Sequence, residues 1–254
     1  MIKFVDEKIS NKFCEILDSS GYLGARIKTQ YEVYHDISKT ACFWVLDDGA
    51  VSLLDGFCTI VANQSCDFEE LSALLLISAV DTISCDEFVA EQMQKYMSFS
   101  SRKKGNILEY RKDTTYPIPF VTTINNAEFK AVYKTLSVSN DGMEEKLPYD
   151  YWLSDISLKT RREKAKIYSV MRGDEVISTA TIIGKSKNYA QIGAVATHPN
   201  YRFRGYSTAI LKQIINECVQ IGIIPTLLTD SDVAYNMYKH LGFDDVGVCF
   251  ELKI

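Results

Sequence analysis

The chain is short of several things that would have assigned it quickly. Among its 254 residues are three histidines, His35, His198 and His240, and no two stand at a spacing that metal ligands use. Its seven cysteines include no Cys-x-x-Cys pair, are odd in number and lie mostly inside apolar runs. Free, buried thiols in a reducing compartment are therefore expected, with a cytoplasmic location and no metal. No apolar run approaches the length of a membrane span; the most apolar window, "LSALLLISAV", is too short. The start, "MIKFVDEKIS", lacks an apolar stretch followed by a small-residue cleavage site, so no signal peptide is read. Basic residues are not in excess. Lys plus Arg number 28 against 33 Asp plus Glu, a net charge of −5, which argues against a nucleic-acid partner. Neither GxxxxGK[ST] nor GxGxxG occurs.

What is present is length enough to bury a real core, and a composition with no sign of disorder. The chain also repeats itself. "TISCDEFVAEQMQKYMSF" (82–99) aligns without a gap on "TLLTDSDVAYNMYKHLGF" (226–243), with seven of eighteen positions identical, among them Asp86/Asp230, Ala90/Ala234 and Phe99/Phe243. Both read as strand, acidic helix start, amphipathic helix and aromatic stop. Fainter matches precede them: "FV" at 4–5 with 120–121, and Phe13 with Phe129. A hairpin pattern around an acidic, glycine-bearing turn occurs at "CFWVLDDGAVSLL" and again at "YSVMRGDEVISTATI". Two copies of one α/β unit, 1–115 and 116–254, are expected, joined near "YRKDTTYPIPF", whose prolines suit an extended connector. From hairpin turn to strand–helix unit the first copy spends 34 residues (Asp48 to Thr82), the second 52 (Asp174 to Thr226). The longer interval holds "QIGAVATHPNYRFRGYS"; the shorter holds a helix with Asp67 and Glu70 placed as a capping box.

In the second copy the periodicities predict a strand near 119–123 and helices over 126–136 and 149–164, separated by a loop at 137–148. A hairpin at 166–183 and a strand at 190–197 follow. Next come a helix at 206–221 stopped by Gly222, a strand at 226–229, a helix at 232–241 and a last pair of strands. Between the strand ending at Thr197 and the helix beginning at Tyr206 lies a basic, glycine-bearing corner. A helix start leaves N–H groups unpaired, and these with the helix dipole attract anions, phosphates above all. Gly205 lets the backbone turn and a ligand approach. Arg202 and Arg204 add charge, and Ser207 is small. On physical grounds alone this is a candidate diphosphate cradle.

"THPNYRFRGYSTAIL" resembles the acetyl-CoA-binding motif of the GNAT superfamily of N-acetyltransferases, [RQ]-x-x-G-x-[GA], filled by Arg202, Phe203, Arg204, Gly205, Tyr206 and Ser207. Ser207 departs from the usual glycine or alanine. "AYNMYKHLGF" resembles the family's A-x-x-L-Y-x-K-x-G-F helix. The resemblance covers about the last 135 residues. It implies a mixed-sheet α/β fold (α+β in the wider sense) in two tandem GNAT-like domains, the second complete and the first degenerate.

For the site, the resemblance implies that acetyl-CoA, as co-substrate, lies in a V-shaped opening. Its pantetheine would pair with the main chain of Val195, Ala196 and Thr197, and its diphosphate with the N–H groups of Phe203 to Thr208. It implies that Tyr238 protonates the departing thiolate, which a phenol with a pKa near 10 can do. It leaves the base unassigned: Gln191 stands on the strand where many relatives carry a carboxylate, no acid follows until Asp230, and Asp150 and Asp155 on the second helix read more simply as surface charges. His198 is expected to be an exposed spectator, and Ser231 stands where relatives often have asparagine. The counterpart of Tyr238 in the first copy is Gln94. The expected activity is transfer of an acetyl group from acetyl-CoA to the primary amine of a small molecule. A protein or peptide acceptor, and a non-catalytic acyl-CoA sensor, are the competing readings. Nothing in the chain indicates its oligomeric state.

Overall fold

Alternation with a period of two marks the strands, and it is cleanest at the first hairpin. There Trp44, Leu46, Val51 and Leu53 face one side of the sheet, and Phe43, Val45 and Ala50 face the other. The computed structural model describes residues 1–117, 122–123, 129–140 and 142–254. The first copy runs β1 (Lys3–Phe4), α1 (Ser10–Ser19), α2 (Gly21–Tyr34), β2 (Cys42–Val45), β3 (Ala50–Leu54), β4 (Phe57–Val61), α3 (Phe68–Ile77), β5 (Thr82–Asp86), α4 (Glu87–Met93) and β6 (Ser101–Glu109). The second runs β7 (Thr122–Thr123), α5 (Phe129–Ser139), α6 (Met143–Lys146), α7 (Tyr149–Arg161), β8 (Lys166–Arg172), β9 (Glu175–Lys185), β10 (Tyr189–Thr197), α8 (Tyr206–Gln220), β11 (Ile224–Thr229), α9 (Asp232–His240) and β12 (Asp244–Lys253). Apart from the additional α6, the order of elements is the same twice. The aligned segments 82–99 and 226–243 are strand-then-helix in both places.

All twelve strands form one mixed sheet in the order β1-β2-β3-β4-β5-β12-β6-β11-β10-β9-β8-β7. The centre of this order shows that the copies exchange their last strands. β6, from the first copy, lies against β11 of the second from Glu109/Thr226 to Asn106/Thr229. β12, from the second, lies against β5 of the first from Cys249/Asp86 to Lys253/Thr82. The two exchanged strands pair with each other along nine registered positions.

Helices cover both faces. α3 and α4 pack on the first copy, with Phe68, Leu71, Leu75, Val89 and Met93 buried. α8 and α9 do the same for the second through Ile210, Leu211, Ile214, Tyr238 and Leu241. The other face carries α1, α2, α5 and α7. α2 reaches across the join, contacting β3 and β4 on one side and β9, β10 and α7 on the other. Its Thr29 hydroxyl accepts from Lys185 N (2.8 Å), and the Arg162 guanidinium of the second copy donates to Glu32 O (2.8 Å).

Two expectations need correction, and a third feature is made precise. The last pair of strands is a single strand, β12, bulged between Asp245 and Gly247; its expected partner is supplied by β6 of the other copy. The loop at 137–148 is partly helical, since α5 runs to Ser139 and Met143–Lys146 form a further turn. The longer interval of the second copy is mostly regular structure. β9, β10 and α8 have 11, 9 and 15 residues where β3, β4 and α3 have 5, 5 and 10. The expected strand at 119–123 and helix start at 126 lie partly outside the described residues, as does the match at 120–121.

Candidate active site

The cleft begins where two parallel strands part. β10 and β11 are in register from Tyr189/Ile224 to Ile192/Leu227 and no further. β11 goes on pairing with β6 alone, while β10 bends away at an irregularity between Gly193 and Ala196. Ala194 takes a positive φ of 50° there, so Ala194 and Val195 drop out of the ladder with β9. A β-bulge of this kind re-aims main-chain groups. Val195, Ala196 and Thr197 then line one wall of a cavity of about 570 Å3.

The corner after β10 closes one end of it. His198 to Tyr201 form a tight turn, in which His198 Nδ1 accepts from Asn200 N at 3.3 Å and its ring lies 5.6 Å from that of Tyr201. Arg202 braces the corner rather than facing out as a free charge. Its Nε donates to Thr197 O (3.2 Å) and its Nη2 to Ser139 O (3.1 Å) at the end of α5. Phe203 (φ 60°) and Gly205 (φ 79°) both take left-handed backbone, and Phe203 is 96% exposed. A non-glycine residue in that region is strained, and such strain is commonly stored at ligand sites. Gly205 is the N-cap of α8, with no side-chain cap and no acid in the first turn. The first backbone bond of the helix runs from Ala209 N to Gly205 O at 2.9 Å. The N–H groups of Tyr206, Ser207 and Thr208 precede it, with no partner inside the helix. A side chain added at Gly205 would meet nothing within 4 Å, so the space above these groups is open. The corner thus fits a diphosphate: free N–H donors, the positive end of a 15-residue helix, and the exposed Arg204 over the Tyr201 ring at 5.6 Å.

The opposite wall is α9. Tyr238 is 4% exposed, packs against Phe243 and lines the same cavity as the cradle. Burial alone pushes its phenol up to about 12. The pKa near 10 expected from sequence was that of a solvated tyrosine. Ser231 also lines the cavity, with its hydroxyl spent on capping α9 at Ala234 N (3.4 Å). The residues that the sequence put forward as cofactor-binding, Val195 to Thr197 and Arg202 to Thr208, border this one space together with the proposed acid Tyr238. Ser139, Asn140 and Tyr201 border it too and were not expected. They come from the end of α5 and from the turn, where no motif marked them.

Ser207 has a local explanation. Its hydroxyl pairs with Thr197 Oγ1 at 2.5 Å, which pairs with Ser178 Oγ at 2.8 Å, which donates to Ala196 O at 3.1 Å. A chain of hydroxyls anchored on β9 and β10 holds the serine oxygen.

A second cavity of about 450 Å3 adjoins the first, for Asn140 lines both and Ala194 and Val195, one on each, are consecutive. Its walls are mainly apolar, with Leu136, Leu147, Trp152, Ile156 and Ile183. Of the acids considered as a base, Asp155 alone lines it. That carboxylate accepts from Lys159 Nζ (2.8 Å) and from the Tyr34 hydroxyl of α2, and it is half-buried rather than a solvated surface charge. Asp150 and Asp230 are exposed and line neither cavity. Gln191 is buried on β10 below the point where the strands part. His198 is half-buried within its turn, and lines neither cavity.

The first copy answers the cradle with its own carboxylates. α3 is capped by Asp67, whose Oδ1 accepts from Glu70 N at 2.9 Å, and Glu69 and Glu70 stand in its first turn. Beneath it Phe68, Leu71 and Met93 fill the space between strand and helices.

Two parallel strands that part beneath an uncapped helix start, in a sheet built from two copies of one element order, make an architecture similar to that of tandem GNAT proteins. Residues 129–243 match the model of the acetyltransferase (GNAT) family. No curated protein sequence matches the chain. Among solved structures, a GNAT-family acetyltransferase from Colwellia psychrerythraea is similar over 100% of this chain and 99% of its own, at TM-score 0.64 and 11% identity. A tandem GNAT protein from the clavulanic acid biosynthesis pathway is similar over 100% and 98%, at TM-score 0.62 and 12% identity. A GCN5-related N-acetyltransferase from Sphaerobacter thermophilus is similar over 100% and 95%, at TM-score 0.64 and 12% identity. At these identities the likeness is one of fold. Among the described residues no helix is long and apolar enough to cross a membrane, and no group of three or more His, Cys, Asp or Glu could hold a metal ion.

Proposed function

We propose that the second half transfers an acetyl group from acetyl-CoA to the primary amine of a small molecule. The observation that carries this is that an uncapped helix start and a buried tyrosine face one cavity, which an apolar pocket adjoins at the bulge. The N–H groups of Tyr206 to Thr208 and the charge of Arg204 hold the diphosphate. The main chain of Val195 to Thr197, on the side where β10 has parted from β11, takes the pantetheine. Acetyl-CoA supplies an acyl group activated as a thioester.

The residues then have three tasks. The apolar pocket positions the amine and excludes water from it, which favours the neutral, attacking form. A main-chain N–H at Val195 polarises the acyl oxygen as charge develops there. The Tyr238 hydroxyl gives its proton to the departing sulfur. Burial keeps that phenol protonated throughout the neutral range. A compact pocket of about 450 Å3 with mainly apolar walls supports a small acceptor over a protein chain.

Release of free thiol from acetyl-CoA, measured across a panel of small primary amines, tests the reading. Amine-dependent release is expected. Tight acetyl-CoA binding with no release for any amine would instead support an acyl-CoA sensor.

A further inference from the structure

A smaller cavity borders the apolar pocket across two shared residues. These are Lys159 and Ile183, and the smaller cavity, of about 180 Å3, is lined otherwise by Arg26, Thr29 and Gln30 of α2, Phe57, and Gln191 of β10. This cavity lies where the first copy packs on the second.

Two observations show that it lacks a partner. Arg26 has only neutral ones: Nη1 donates to Ser84 Oγ and Nη2 to Tyr22 OH, both at 2.9 Å, and the Tyr22 and Phe57 rings flank the guanidinium. Among the described residues no carboxylate lies within ion-pair distance of it. A guanidinium has five N–H donors, so these two bonds leave others free. Lys159 adds no surplus charge, because Asp155 matches it at 2.8 Å. Among the described residues Arg26, half-buried, is thus the cation of the group with no carboxylate at contact distance, although Glu251 acts on it from further away. Independently, Gln191 is 2% exposed and its Nε2 has no hydrogen-bond partner. A buried amide donor is rarely left so. The cavity therefore presents guanidinium donors and a buried amide donor with no acceptor to meet them.

We propose that this cavity binds a carboxylate, and that the acceptor is accordingly an ω-amino carboxylate. The amine end lies at the β10 bulge, an apolar spacer fills the larger pocket, and the carboxylate meets Arg26 and Gln191. A planar carboxylate offers two oxygens to the guanidinium fork and to the orphaned amide together. The two ends lie on opposite sides of an apolar space, so an α-amino acid, with both groups on one carbon, is a poor fit. The substrate assignment rests on the acetyl-transfer reading; the carboxylate pocket does not.

The pocket is tested first without acetyl-CoA. Sodium caproate at millimolar concentration is expected to raise the melting temperature of the full-length protein, and caproamide to do so far less. Arg26→Gln should abolish the difference and Gln191→Met should reduce it. Gln191→Met also guards against an Arg26 variant that fails to fold. Equal shifts from caproate and caproamide would overturn the pocket, whatever the enzyme assay reads. The second arm compares kcat/KM for ε-aminocaproate with that for hexylamine. A charge-assisted pair predicts a preference of about tenfold to a hundredfold for the carboxylate. Arg26→Gln should bring the ratio near one, and Arg26→Lys should restore part of it. A caproate-specific shift with a ratio near one overturns the substrate assignment alone. A caproate-specific shift with no amine acetylated at all overturns the acetyl-transfer reading and leaves the carboxylate site standing.

Discussion

Ser207, Gly205 and Tyr238 are three residues with different tolerances. The Ser207 hydroxyl is held by Thr197, and Thr197 keeps Ser178 when Ser207 is removed. Ser207→Ala is therefore expected to leave acetyl-CoA affinity within about twofold and to cost about 0.5–1.5 kcal/mol, the worth of one ordinary hydrogen bond. Calorimetry and denaturant melts would show it. Gly205 differs because its constraint is backbone conformation and not room: φ is 79°, and an added Cβ meets nothing within 4 Å. Gly205→Ala should cost about 1–2 kcal/mol from the left-handed backbone. Gly205→Trp should further lose acetyl-CoA binding by filling the open space over the N–H groups. Tyr238→Phe keeps the buried ring against Phe243 and loses the proton. Affinity for acetyl-CoA should hold, and turnover should fall about a hundredfold to ten-thousandfold on the general scale of acid–base assistance. With the phenol pushed up to about 12, no alkaline fall in rate belongs to this residue below pH about 10. The same shift acts on stability. A group whose folded pKa lies above its unfolded value contributes fully below the unfolded pKa and loses that contribution as pH rises through the folded one. Tyr238 should thus lose about 2–3 kcal/mol of stabilisation between pH 10 and 12. Tyr238→Phe should show a correspondingly shallower alkaline decline; identical alkaline melts would refute this account of burial.

At the scale of elements, α8 and α3 are one position in two copies, made chemically opposite at their starts. The α8 start has glycine at the cap, no acid in its first turn and N–H groups left open. The α3 start has Asp67 on its own backbone and Glu69 and Glu70 beside it, so an anion meets three carboxylates. Acetyl-CoA should therefore titrate at one site per chain, and two equivalent sites in calorimetry would contradict the contrast. The sequence made this difference legible, because caps are local and depend on residues three or four apart. The capping pair at Asp67 and Glu70 and the bare Gly205 could be read directly. The parting of β10 from β11 could not. It depends on a bulge at Ala194, which no residue type announces, and on which strand β11 takes as its other neighbour. The apolar pocket beside the cleft was equally hidden. Its walls come from α5, α6, α7, β9 and β10, and the small cavity bordering it draws Arg26 from a helix more than a hundred residues earlier in the chain.

The whole molecule is tied together by the exchange of last strands. Local pattern suggested a closing hairpin at the end of the second copy, because two β-strands close in sequence usually pair. Instead β12 pairs with β5 and β6, and β6 pairs with β11, so neither copy completes its sheet from its own residues. In a chain cut between residues 115 and 116, the first fragment would leave the outer edge of β5 without β12. The second would leave β11 without β6. Each would expose a row of unpaired N–H and C=O groups beside apolar side chains, which is an aggregation hazard. Ile107 and Leu108 on β6, and Cys249, Phe250 and Leu252 on β12, are buried in the full chain. They would lose the strand or helices they pack against. The fragments 1–115 and 116–254, expressed singly, are expected to be insoluble or to lack cooperative unfolding. Co-expressed, they should associate through the β6–β12 pairing and recover acetyl-CoA binding. The uncut chain should unfold in one calorimetric transition despite its two copies, since melting either copy strips a strand from the other. Two separated transitions, or a soluble second fragment that binds acetyl-CoA by itself, would show that the exchanged strands only decorate two independent domains.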